Sequence, residues 1–127
     1  MKFYLEVDPR PQPRPRFTRG RTFTPAEIVQ YKAAIGLAGK SAMEGKPPIE
    51  GEVQARMKFT RKFKATSKRF GDADNLFKAV ADALNGIAYL DDAQIVESIV
   101  MKIKGEVPSV EVEIIALQFD NSTITLE

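Results

Sequence analysis

Two short acidic runs carry the chemistry of this sequence: Asp72-Ala73-Asp74 and Asp91-Asp92. Each stands at the edge of a segment, where a scaffold can hold a carboxylate rigidly. Oxygen donors of this kind suit hard divalent cations such as Mg²⁺ or Mn²⁺. Two acidic clusters brought together repel unless a cation lies between them. Lys78 follows Asp74 by one helical turn and can meet a phosphate or an attacking water. Directly upstream, residues 61–71 (RKFKATSKRFG) hold Arg61, Lys62, Lys64, Lys68 and Arg69 and no acid. A polyanion drawn to that stretch lands beside the carboxylates. The chemistry implied is metal-assisted hydrolysis of a phosphodiester, in which a bound ion activates water and neutralises the phosphoryl group.

A plainer reading fits the same residues. On a helical wheel with Leu76 at zero, Val80, Ala83 and Leu84 fall within about 80°, while Asp74, Lys78 and Asp82 fall at about 160–240°. That is an ordinary wet face with i,i+4 Asp–Lys pairs worth a few tenths of a kcal/mol each. Asp72 is then an N-cap.

Composition narrows the choice. The 127 residues include no His and no Cys. This removes Ser-His and Cys-His nucleophile pairs, His-activated nucleases, disulfides and nearly every zinc site. An EF-hand reading of Asp72-Ala73-Asp74-Asn75 fails, because Leu76 and Phe77 occupy the positions that need a ligand and a Gly. Neither GxxxxGK[ST] nor GxGxxG is present, so no nucleotide cofactor is expected. Met1-Lys2-Phe3-Tyr4-Leu5-Glu6-Val7 lacks the apolar run of a signal peptide, and no stretch approaches the roughly 18 apolar residues of a membrane span. A cytoplasmic location is expected. The net charge of +2 hides an asymmetry: residues 1–70 carry 16 Lys/Arg and 6 Asp/Glu, and residues 71–127 carry 3 and 11. A basic first half points to a polyanionic partner, unless folding mixes the halves and evens the surface.

The elements that must position these residues read as follows. Lys2–Val7 is a first strand. Residues 9–16 (PRPQPRPR) hold four prolines and form an extended, polyproline-like arm. With Arg10, Arg14, Arg16, Arg19 and Arg21, the arm is strongly basic. Thr24-Pro25-Ala26-Glu27 starts a helix running to about Met43, with Ile28, Tyr31, Ile35 and Ala38 as its apolar stripe. Gly36 and Gly39 weaken its second half. Val53, Ala55, Met57 and Phe59 alternate with polar residues and mark a half-buried strand. Residues 61–71 read as a mobile loop, whose Phe63 or Phe70 can stack on an unpaired base, whereas Phe59 belongs to the core. A helix from Asp72 or Asp74 to Leu84 stops at Asn85-Gly86. A short turn follows Asp92. Ile95–Lys104 is a strand with Ile99, Met101 and Ile103 on one face, and Val110–Leu117 is another, joined by a hairpin turn at Gly105–Pro108. The expected fold is a single α+β domain spanning 1–127, with a mixed, mostly antiparallel sheet and two main helices packed on it.

Gly71-Asp72-Ala73-Asp74-Asn75-Leu76-Phe77-Lys78 through Asp82-Ala83-Leu84 resembles the D-x-D-N-x-x-K-x-x-x-D-x-L helix of RusA-type Holliday junction resolvases. Tyr89-Leu90-Asp91-Asp92-Ala93-Gln94-Ile95-Val96 resembles their x-L-D-D-x-Q-[IV]-V segment. The matching block covers about 69–96, under a quarter of the chain. The resemblance implies a homodimeric, often prophage-encoded endonuclease that nicks four-way junctions symmetrically with Mg²⁺, Mn²⁺ substituting, in DNA recombination and repair. It makes Asp72, Asp74 and Asp92 the metal ligands, with Asp91 a further candidate, and Lys78 the catalytic lysine. DNA contacts are expected from the arm arginines and from Arg61, Lys62, Lys64, Lys68 and Arg69. The chain departs from the pattern in a thinner basic run before Asp72: Ser67-Lys68-Arg69-Phe70-Gly71. A binding module for branched nucleic acid without catalysis, or a nuclease for flaps or forks, stays open at this point.

Overall fold

The structure, a computed structural model, describes residues 1–13, 17–18, 21–22 and 26–117. Its main sheet holds four strands: β1 (Lys2–Leu5), β4 (Val53–Arg61), β5 (Ile95–Lys104) and β6 (Ser109–Ala116), in the order β1-β6-β4-β5. β1 and β4 each run antiparallel to β6, and β5 runs parallel to β4. β2 (Phe17–Thr18) and β3 (Arg21–Thr22) pair separately as a short ribbon. Two helices, α1 (Ala26–Ala42) and α2 (Ala73–Ala83), complete an α+β domain. The mixed, mostly antiparallel sheet with two helices is the expected class.

The alternation in β4 explains the layering. Val53, Ala55, Met57 and Phe59 are buried with Val110, Val112 and Ile114 of β6 beneath the helices. Gln54, Arg56 and Lys58 face the other way, where Arg56 pairs with Glu113 and Lys2 with Glu111 across strands. Among the described residues the sheet is therefore covered on one face only. Ile28, Tyr31 and Ile35 of α1 and Leu76, Ala79 and Val80 of α2 close the core.

Gly36 and Gly39 let α1 and α2 approach. A Cβ on Gly39 would lie 2.5 Å from Leu84 Cδ2, and one on Gly36 3.4 Å from Ile87 Cδ1. The glycines expected to weaken α1 are its contact surface with α2.

Two expectations need correction, and a third gains detail. β5 and β6 do not form a hairpin, because β4 lies between them. Residues 105–108 cross the end of β4, where Gly105 N donates to Arg61 O at 2.9 Å and a Cβ on Gly105 would meet Thr60 Cγ2 at 2.7 Å. Four linking residues reach roughly 13 Å, enough to span two strand spacings of about 4.8 Å, so turn composition alone does not separate the two connections. β5 keeps its expected bounds and places Ile99 and Met101 on one face, as expected, and that face is the uncovered one, beside Arg56 and Lys58. Val53 opposes Ile95 but Gln54 opposes Glu97, so Val96 is an extra residue. One bulged residue flips every side chain after it to the other face. Second, the basic 61–71 segment, expected to be mobile, is braced by successive turns (Ser67 N to Lys64 O, 2.9 Å; Phe70 N to Ser67 O, 3.0 Å) and by the buried Phe70.

The described start of the arm carries no helix or strand and is tied down: Gln12 N donates to Asn75 O at 2.8 Å, and Pro11 packs beside Gly71, whose φ of +101° suits a residue without Cβ. Thr24 and Pro25 of the helix-start signature, and the tail beyond Leu117, lie outside the described residues.

Candidate functional site

α2 turns its apolar stripe to the core and leaves Asp74, Lys78 and Asp82 outward, as the wheel requires. The turn after α2 brings the second acidic run back to it. Tyr89 is fully buried, and its hydroxyl donates to Ala81 O at 2.7 Å. Burial, followed by the charges of Asp92, Asp82 and Asp91, pushes that hydroxyl far above its usual range, so it stays protonated and keeps donating. A one-turn 3₁₀ helix, Asp92–Gln94, then carries Asp92 into a cleft of about 390 Å³. Asp74 and Lys78 line the same cleft, with Phe77 of α2 and Val96 and Glu97 at the β5 bulge as walls.

The electrostatics of the cleft are those of crowded acid. Lys78 Nζ lies 3.4 Å from Asp82 Oδ1, and Lys32 Nζ lies 3.6 Å from Asp82 Oδ2. Asp92 is in hydrogen-bond reach of Asp82. Partial burial, the Asp82 carboxyl and the Asp91 charge hold Asp92 above the ordinary carboxylate range, and Lys78 only partly offsets them.

The other sequence candidates divide. Asp91 spends its carboxylate as a cap: its side chain accepts from Ala93 N at 3.3 Å, in a capping box closed by Gln94. Asp72 stands at the N-cap of α2 but makes no side-chain cap bond, so its carboxylate is available. It lines a neighbouring cleft of about 540 Å³ with Gln12, Lys68 and Asn75, not the one that holds Asp92. Among the described residues no three carboxylates form a ready-made metal nest. The donor set still fits a hard cation, because every candidate ligand is a carboxylate and the Asp82–Asp92 pair carries a repulsion that positive charge relieves.

Arg10, Lys62, Lys64, Lys68 and Arg69 are exposed, as DNA contacts require. Arg61 is not among them. It is 7% exposed, pairs with Asp8 (Nε to Oδ1, 2.9 Å; Nη2 to Oδ2, 3.1 Å), donates Nη1 to the carbonyls of Arg69 and Phe70, and lies over Phe63. It is an internal brace for the basic segment, placed there because β4's inward alternation continues through residue 61. Phe70 is fully buried with Lys102 over its ring, so it has no face to offer a base. Arg14, Arg16 and Arg19 lie outside the described residues, as does the side chain of Arg21. Sequence reading left Asp82 on the wet face of the helix and passed over Glu97 and Phe77 as site residues. Their signals were weak, since a strand carboxylate and a helical aromatic read as surface and core.

The sequence was compared with known protein families. The pattern described as "Endodeoxyribonuclease RusA" matches residues 6–115. The chain belongs to the RusA family of endodeoxyribonucleases. The match runs from the end of β1 into β6, so it takes in the whole cleft. It makes this RusA-family chain an endonuclease of a class that resolves Holliday junctions and acts on branched DNA. No curated protein matched the chain. No described helix of this RusA-family domain is long and apolar enough to cross a membrane.

Proposed function

We propose that this chain is a Mg²⁺-dependent resolvase that cuts four-way DNA junctions by paired, symmetric nicks, with Mn²⁺ able to replace Mg²⁺. One observation carries the reading: Asp74 and Asp92, from separate elements, meet Lys78 in one cleft. Asp74 and Asp92 are the residues assigned to hold the ion, with Asp72 the third carboxylate of the motif. A divalent ion held there supplies charge neutralisation at the phosphoryl group and activation of water. Lys78 sets its ammonium against the scissile phosphate, released from Asp82 as the strand arrives. Lys62, Lys64, Lys68 and Arg69 bind the phosphates that lead into the cleft. A two-fold symmetric junction needs two matched cuts, and a C₂ homodimer presents two matched sites. The role assigned is recombination and repair in a bacterial or phage-encoded setting, in the cytoplasm.

Incubating the purified chain with a synthetic four-way junction in Mg²⁺ or Mn²⁺ tests this. Symmetric nicks are expected, with Asp74→Asn binding the junction but leaving it whole. Intact junctions in both metals, from folded protein, would sink the proposal. The separation of Asp72 from Asp92 favours a second reading, a branched-DNA binding module without catalysis. That reading expects no Mn²⁺ binding in a titration and normal DNA binding by Asp72→Asn and Asp92→Asn. Flaps and forks in the same panel settle the substrate.

A further inference from the structure

Gln94 uses its whole side-chain amide. Its Oε1 accepts from Leu90 N at 2.9 Å and from Asp91 N at 3.0 Å. Its Nε2 donates to Ile49 O at 2.7 Å and to Gly51 O at 2.8 Å. A capping box on a one-turn helix needs only the acceptor half. The donor half reaches a different part of the chain, the loop that enters β4. That loop is already tied to the turn after α2, since Ile49 N donates to Ala88 O at 2.9 Å and Ile49 bridges with Tyr89.

We infer that Gln94 is a positioning residue that holds Asp92 in the cleft by clamping the 90–92 turn to the 49–51 carbonyls. The inference rests on the cleft being the active site proposed above. The 3₁₀ turn is one turn long, and a turn of that length does not hold its shape alone. Asp92 is its first residue, so any rotation of the turn moves the carboxylate relative to Asp74 on α2. The two bonds to Ile49 O and Gly51 O fix the turn against the sheet edge. No other side-chain amide can make them without the same length and the same two donors. Groups that orient a reactive carboxylate in this way typically contribute about 10- to 100-fold in activity or metal affinity.

Gln94→Glu keeps the acceptor for Leu90 and Asp91 but loses the donors and sets a carboxylate against two carbonyl oxygens. Gln94→Met keeps the length and loses every bond. Both variants are expected to bind a four-way junction in EDTA within twofold of the parent chain. Both are expected to cut it about 10- to 100-fold more slowly and to need more Mn²⁺ for half-saturation in a direct titration of the protein. Amide exchange at Leu90 and Asp91 is expected to stay slow in Gln94→Glu and to become fast in Gln94→Met. Folded variants that cut and bind Mn²⁺ like the parent overturn the clamp. So does a loss of cutting that only tracks a fall in thermal midpoint, because that is a general structural effect. A parent chain that cuts no junction overturns the nuclease reading instead.

Discussion

Asp92 and Asp82 lie in hydrogen-bonding reach of each other, and the proton balance of that pair decides two measurable properties. Asp92 is raised above the range it has in the unfolded chain. Between those two values the folded state holds a proton that the unfolded state has released. Its contribution to stability is therefore present at low pH and is lost as pH rises through the raised value. Once Asp92 is charged, the Asp82 and Asp91 charges beside it work against the fold. Asp92→Asn is expected to raise the thermal midpoint at pH 7 without metal, an advantage that shrinks as the buffer is made acidic, while cutting falls by 100-fold or more. A lower midpoint at pH 7 would contradict this. In the metal-free protein Asp92 is expected to titrate above the ordinary aspartate range. Asp82→Asn is expected to shift that titration downward, and an unmoved titration would show that the pair is not coupled in solution. The acids were legible as candidates from their spacing alone. That Asp82 lies close enough to act on Asp92 was not, because their approach depends on how the buried Tyr89 folds the chain back onto α2.

At the scale of elements, the α1–α2 contact separates two glycines that look alike in sequence. A Cβ on Gly39 collides with the fully buried Leu84 at 2.5 Å, whereas one on Gly36 stays in ordinary contact with Ile87. Overpacking costs about 1–3 kcal/mol, and replacing a helical Gly by Ala returns about 1 kcal/mol. Gly39→Ala is expected to lower unfolding stability by about 1 kcal/mol net, and Gly36→Ala to leave it equal or higher. Urea unfolding distinguishes them. The Arg61–Asp8 pair joins β4, the segment after β1 and the basic stretch. Arg61→Ala strands two carbonyls and a carboxylate, and is expected to cost about 3 kcal/mol, the low end for a broken buried pair, because Asp8 keeps 38% of its side chain exposed. DNA affinity per folded molecule is expected to hold, where a phosphate-contacting arginine would lose it. Both helices, β1, β4 and β6 could be read from period and punctuation, because each buries one face. Arg61 could not, since a basic run reads as surface until the strand's alternation is carried one residue further. The orientation of β5 could not either, since a single bulged residue leaves no signature in composition.

For the whole molecule, part of the excess of base in residues 1–70 is gathered at the surface just before the first acidic run. Exposed Lys62, Lys64, Lys68 and Arg69 sit on the segment that leads directly into Asp72 and Asp74. Phosphate contacts release counterions, so each contact steepens the fall of log K with log salt by about one unit. A Lys68→Gln, Arg69→Gln double variant is expected to flatten that slope by about two units and to weaken binding to all branched substrates alike. A selective loss on four-way junctions only would mean that these residues read shape. The pairing of β1 with β6 has a consequence for how such a nuclease is made. Lys2 is registered against Glu113, and the amino group of Met1 donates to Ile114 O at 3.1 Å. β1 therefore waits for β6, a partner more than a hundred residues further along the chain. β4, whose neighbour through most of its length is also β6, waits with it. At about 5–20 residues per second, the chain spends seconds with both acidic runs translated and the sheet beside them incomplete. Synthesis order thus leaves the β4–β5 pair, whose second strand lines the cleft, without the antiparallel neighbour β6 for that time.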